Sequence, residues 1–129
     1  MVRSGRRTVA FGELETVIMD LLWARDDPAT VRDLHTELAS RRQIAYTTVM
    51  STMNNLHHKG WLTRSRTGLA YAYWPSMSRE EHSAALMRAA LQSGGDADLV
   101  LSFFIDQMGA VESAKLREAV QRAAQRPAP

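Results

Sequence analysis

The sequence contains no cysteine. That excludes a disulfide scaffold, a zinc ribbon and a thiol nucleophile, and it agrees with a reducing compartment. Long apolar runs are missing too. The most hydrophobic stretch, residues 99–105, is interrupted by Ser102 and falls far short of the roughly 20 residues a bilayer needs. No membrane insertion is expected. The first ten residues, MVRSGRRTVA, carry the charges of a signal peptide without an apolar segment behind them. A basic arm over residues 1–10 of a cytoplasmic protein is the expectation. The third absence is of carboxylates. No Asp or Glu occurs in the 42 residues from 38 to 79, which hold Arg41, Arg42, Lys59, Arg64, Arg66 and Arg79 with His57 and His58. A surface built from that stretch has nothing to repel a phosphate. A chance gap in an ordinary solvated face is the competing explanation.

What remains is the composition of a globular protein: 129 residues, 45% hydrophobic and 23% charged, enough for one domain or two small ones sharing a core. The net charge of +2 conceals an asymmetry. Residues 1–76 carry ten Lys/Arg against seven Asp/Glu, and residues 77–129 carry six against seven.

Apolar spacing sets the elements. Leu14, Val17, Ile18, Leu21 and Leu22 follow a helical period from Gly12 onward, and Asp26, Asp27 and Pro28 end that helix. Thr30 with Asp33 makes a capping box for a second helix carrying Val31, Leu34 and Leu38, which stops near Arg41 and Arg42. A third helix fits residues 46–59, with Gly60 as its stop. At about 100° per residue, Val49, Thr52, Met53 and Leu56 fall inward. Thr47, Ser51, Asn54 and His58 fall outward, flanked by Thr48 and Asn55. Residues 62–66 and 69–74 read as two strands joined around Thr67 and Gly68, with Tyr71 and Tyr73 on one face and Ala70, Ala72 and Trp74 on the other. After Pro75 the composition shifts to Ala, Leu, Met and Glu, so a boundary is expected near residues 76–78. Ser78 and Glu81 cap a fourth helix to about residue 93, and Gly94, Gly95 and Asp96 break it. A fifth helix is expected over 99–108 and a sixth over 114–124, before a tail at 126–129.

Three helices and a hairpin are the order of a winged helix-turn-helix. The fold class is therefore mainly α with a small β-hairpin wing, a DNA-binding domain over 11–76 followed by a helical dimerisation region over 77–125. In that fold the third helix enters the major groove and the hairpin straddles phosphates. Arg41, Arg42, Tyr46, Thr47, Thr48, Ser51, Asn54, Asn55, His58, Lys59, Arg64 and Arg66 are the candidate DNA contacts. Ser51 and Asn55 are assigned to base discrimination, and Lys59, Arg64 and Arg66 to affinity. An all-α domain with an incidental hairpin is the alternative, as is a winged-helix interaction module that does not use DNA. Leu86, Leu99, Leu101, Phe103, Phe104, Leu116 and Val120, with Leu91 and Ile105, are too many large apolar groups for three short helices to enclose. Pairing with a second copy would hide them; folding back on the winged half as one core would do so as well.

Metal and catalytic chemistry find no footing. His57 and His58 are adjacent and diverge on a helix, His35 and His82 are isolated, and the seven methionines sit mostly at core spacing. Neither a Gly-rich phosphate loop nor a nucleophile–base pair is present. No metal, no cofactor and no enzyme activity are expected.

Residues 45–62, AYTTVMSTMNNLHHKGWL, resemble the recognition-helix signature of the penicillinase repressor (BlaI/MecI/CopY) family. Residues 12–23, GELETVIMDLLW, resemble its first helix down to the closing Leu-Trp, and residues 68–75, GLAYAYWP, its wing. The similarity runs from about residue 12 to 122. It implies a homodimeric repressor of an antibiotic response, binding dyad-symmetric double-stranded operator DNA and released by a signal acting on its C-terminal half. The cue could be a membrane sensor-protease; a small-molecule-sensing winged-helix regulator is the other reading. Family induction can involve cleavage at an Asn-Phe bond, and the pair aligned with it here is Ser102 and Phe103. Two departures stand out. Asn55 replaces a frequent Arg, which loses a bidentate grip on guanine and suits adenine instead. The cysteine pairs of copper-responsive members are absent.

Overall fold

Among the described residues, five of the six helices open on a hydrogen bond between a side chain and the backbone, and the one that follows Ala45 does not. The computed structural model describes residues 11–127, so the basic arm over 1–10 and the last two residues of the tail lie outside it. Helix α1, Glu13–Trp23, starts at Gly12, whose N–H donates to Glu15 Oε1 at 3.0 Å. Helix α2, Val31–Ala39, opens with the expected box: Asp33 N–H donates to Thr30 Oγ1 at 3.1 Å, and Thr30 N–H to Asp33 Oδ2 at 3.0 Å. Helix α3 spans Tyr46–His58, strands β1 and β2 span Leu62–Thr67 and Ala70–Pro75, and helices α4, α5 and α6 span Arg79–Ser93, Ala97–Asp106 and Ala110–Ala124. Ser78 and Glu81 exchange the second reciprocal pair, at 2.8 and 3.0 Å, to open α4.

Several boundaries differ from the periodic reading, for identifiable reasons. Helix α1 ends at Trp23, before Asp26, and residues 24–30 form a loop. That loop is held by backbone: Ala29 and Tyr73 exchange hydrogen bonds of 2.9 and 2.8 Å, a bridge that ties it to β2. Helices α5 and α6 begin two and four residues earlier than the apolar period suggested, after the caps Asp96, whose side chain accepts from Asp98 N–H, and Gly109, whose N–H donates to Glu112. Helix α5 also ends at Asp106, short of Met108.

The strands pair antiparallel with Arg64 opposite Tyr73, Arg66 opposite Tyr71 and Thr67 opposite Ala70. Gly68 and Leu69 are thus a two-residue loop. Gly68 holds φ +65° and Leu69 does not share the positive sign, which is what a type II′ turn asks of its first position.

The described residues divide into two compact units, the first ending at Met87 and the second starting at Arg88. In the first, Ile18, Met19, Leu22, Leu34, Leu38, Val49, Met53, Leu56 and Leu62 are fully buried. They come from α1, α2, α3 and β1, so one core fixes the angle at which α3 is presented. The division falls between Met87 and Arg88, about ten residues beyond the composition shift, because the first turns of α4 pack on the winged core. His82 is buried there, stacked on Phe11 at 4.3 Å and edge-on to Trp61 at 5.0 Å. In the second unit no described residue is buried. None of the helices is long and apolar enough to cross a membrane, among the described residues.

Candidate nucleic-acid interface

The outward side of α3 is set by what its inward side buries. Val49, Met53 and Leu56 are fully enclosed, which leaves Thr47, Thr48, Ser51, Asn55 and His58 exposed together. Thr52, expected inward, is only half-buried. Its hydroxyl donates to the Thr48 carbonyl at 2.8 Å, so a polar group sits at the core edge without an unpaired donor. The N-terminus of α3 is braced by His35, whose Nε2 lies 3.0 Å from the Ile44 carbonyl and whose ring meets Tyr46 edge-on at 5.6 Å.

The basic residues divide into two groups. Arg42 and Arg66 stand exposed, Arg66 making a long 3.4 Å bond to the Gly68 carbonyl. Arg41 is also exposed but pairs with Glu37 at 3.1 Å, one turn back on α2. Lys59 is tied more firmly: its Nζ lies 2.9 Å from Glu15 Oε2, bridging α3 to α1. Partial burial pushes the Glu15 carboxyl up, but the Gly12 N–H and the Lys59 ammonium outweigh it and hold the group below the usual carboxylate range.

Arg64 is built into the fold. Its Nη1 donates to Asn54 Oδ1 at 3.0 Å and to Tyr73 Oη at 3.2 Å, and its guanidinium lies 4.0 Å over the Tyr71 ring. This residue therefore fastens the hairpin to α3. Asn54, assigned to DNA by periodicity, is half-buried and turned to the wing to receive that bond. Arg66 sits 5.5 Å from the same Tyr71 ring, so both arginines lie on one side of β1, as their spacing of two required. His57, beside Arg64, is held below its ordinary value by burial first and then by the positive charges of Arg64 and His58.

Arg32 escaped the sequence argument. It stands on the first turn of α2 and lines a groove of about 540 Å³ together with Tyr46, Met50 and Tyr71. It lies outside the acid-free stretch, and only the tertiary packing of α2 beside the hairpin brings it here. Among the described residues no cluster of His, Cys, Asp or Glu is arranged to hold a metal ion.

A three-helix core presents a helix face free of carboxylates, with a hairpin pinned beside it. The penicillinase repressor family model matches residues 11–122. The chain belongs to the penicillinase repressor family. It is 39% identical over 112 residues to proteins named transcriptional regulator BlaI from two strains of Mycobacterium tuberculosis, CDC 1551 and H37Rv, covering 84% of this chain and 81% of each relative. A solved chain, Streptococcus pneumoniae FabT in complex with DNA, is similar at a TM-score of 0.44 and 17% identity, over 89% of this chain and 74% of that one. Membership in a repressor family places this penicillinase repressor homologue among transcriptional regulators, not enzymes.

The residues expected in a dimer seam lie mostly in the second unit. Leu99, Leu101, Phe103, Phe104 and Val120 are exposed and Leu116 is half-buried, whereas Leu86, also half-buried, belongs to the first unit. Ile105, Met108, Leu116 and Val120 line an apolar groove of about 350 Å³ between α5 and α6. Ser102 and Phe103 sit in the interior of α5, where the backbone is hydrogen-bonded.

Proposed function

We propose that this protein is a homodimeric repressor that grips dyad-symmetric double-stranded operator DNA with α3 and the wing. The observation that carries the reading is the carboxylate-free face of α3, with Thr47, Thr48, Ser51 and Asn55 exposed and the hairpin fastened beside it by Arg64. Thr47, Thr48, Ser51 and Asn55 would meet base edges, while Arg42 and Arg66 would meet phosphates. Asn54 and Arg64 would act by holding the wing in place, and Lys59 by bracing α3 on α1. Dimerisation through the second unit is supported by its unsatisfied apolar surface: Phe103 is 63% exposed and Leu99 56%, values that two-fold pairing would remove.

Release follows from avidity. One winged unit meets one half-site, so affinity depends on two being linked. A signal that loosens α5 would separate them without touching α3. Cleavage at Ser102 and Phe103, by a membrane sensor-protease or otherwise, requires local unwinding of α5 first.

The test is a fluorescence-anisotropy titration on promoter DNA upstream of the protein's own gene, from about 50 to 200 mM salt. Specific binding that weakens by at least about a hundredfold over that range supports the reading, because each phosphate contact regains its counterion. Binding indifferent to salt and sequence would make the winged helix a protein-interaction module instead.

A further inference from the structure

We propose that the apolar lip on the wing side of α3, formed by Tyr46 and Met50 and continued by Tyr71 and Leu69, selects thymine through its C5-methyl group. The inference rests on the DNA-binding reading above and adds a chemical specificity to it.

Tyr46 and Met50 are one turn apart on α3 and 42% and 43% exposed. Polar residues fill the adjacent outward positions, so these two large apolar groups break the pattern of the surface they belong to. Leu69, at the hairpin tip, is 96% exposed. The three line one groove, about 540 Å³, with Val31, Tyr71 and Arg32. Two of its aromatic walls are braced: His35 abuts Tyr46 edge-on, and the Arg64 guanidinium covers Tyr71 at 4.0 Å. No carboxylate lines the groove, and Arg32 stands at it, so its charge suits a nucleic acid. Its position continues the face of Thr47 and Ser51 without a break.

Among base edges in the major groove only thymine presents an apolar group. A polar base edge set against the Met50 side chain would meet no hydrogen-bond donor there. Met50 has an unbranched, polarisable side chain that can settle on a methyl without a fixed register. Deoxyribose is the competing occupant, and it is common to all four nucleotides.

The probe is the duplex recovered from a random-sequence pool by repeated binding to the full-length protein. Copies are made in which each thymine is replaced in turn by deoxyuridine, which removes the methyl and nothing else. Burying one methyl corresponds to about a fourfold change in Kd. Wild-type protein should lose about threefold to fivefold at one or two thymines of each half-site. For Met50→Ala, whose exposed helical position tolerates Ala, the same replacements should matter less than about 1.5-fold, and Met50→Leu should restore the sensitivity. Thymines whose methyls can all be removed without effect, or an equal loss in wild type, Met50→Ala and Tyr46→Ala, would overturn the inference while leaving DNA binding standing. A pool that yields no enriched duplex would overturn the DNA-binding reading and this inference together.

Discussion

Replacing Arg64 with Ala tests whether the wing is a fastened element or a free phosphate clamp. The substitution removes two hydrogen bonds from a charged donor, to Asn54 at 3.0 Å and Tyr73 at 3.2 Å, and the stack over Tyr71 at 4.0 Å. A hydrogen bond to a charged group contributes ~1.5–3 kcal/mol and an exposed cation–π contact ~0.5–1 kcal/mol. Both bonds leave one nitrogen, so together they count as one charged bond, and the site is half open to solvent; the lower ends of both ranges apply, about 2 kcal/mol in all. Trp23, Trp61 and Trp74 all lie in the first unit, and urea unfolding followed by tryptophan fluorescence therefore reports this unit alone. The midpoint should fall with the slope unchanged, and Asn54→Ala should lose little further when added to Arg64→Ala. Arg64→Lys should recover only part of the loss, since a compact, strongly hydrated ammonium cannot lay a planar face over the Tyr71 ring while it donates to Asn54 and Tyr73. On DNA, the salt slope should drop by about one unit for Arg66→Ala and by much less for Arg64→Ala. An Arg64→Ala protein with the wild-type urea midpoint and a salt slope one unit lower would refute this account and return Arg64 to the phosphate.

Four further outcomes are expected. Phe103→Asp, at a position exposed within its own unit, should keep the helical circular-dichroism signal, halve the mass in analytical ultracentrifugation and weaken operator binding at least about a hundredfold through lost avidity; a dimeric variant would contradict the proposed seam. Burial holds His82 below its ordinary 6.5, so the unfolded chain takes up a proton that the folded one refuses, and stability present above about pH 6.5 is lost as pH falls. The urea midpoint of His82→Phe should therefore change less than that of wild type between about pH 7.5 and pH 5.5. Gly94→Ala would set its Cβ 2.5 Å from the Ala90 carbonyl oxygen, costing about 1–3 kcal/mol in the C-terminal turn of α4, with the loss visible in amide hydrogen exchange there. Glu15→Gln should leave Lys59 without its ionised partner, lowering stability by under about 1 kcal/mol and raising affinity for any duplex through the released ammonium, read by titration at low salt.

Features that depend on neighbours along the chain are legible in the order of residues alone. The two reciprocal capping boxes, at Thr30 with Asp33 and Ser78 with Glu81, were visible because both partners lie within one turn. The inward face of α3 followed from a period of 3.6, and the common side of Arg64 and Arg66 from a period of two. The acid-free stretch covers α3 and the hairpin, so the outward face of α3 carries no carboxylate. The motifs spread over residues 12–75 also resembled the family whose model matches residues 11–122. Periodicity placed helix starts less well than helix faces, because the caps Asp96 and Gly109 precede the apolar pattern.

Which polar groups are left for a partner depends on how the elements pack. Periodicity sets Asn54 outward and Asn55 at its flank, yet the hairpin folds over Asn54 and leaves Asn55 in solvent. Lys59 finds a carboxylate 44 positions away, and Arg32 is brought to the wing groove from outside the acid-free stretch. Ala29 joins Tyr73 across the loop, and His82 carries the first turns of α4 into the winged unit. Each of these contacts joins residues far apart in the chain, and no local period encodes which distant group will arrive. Capping and amphipathic period are set by bonds within a turn or two; pairing between elements is set by the packing of a shared core.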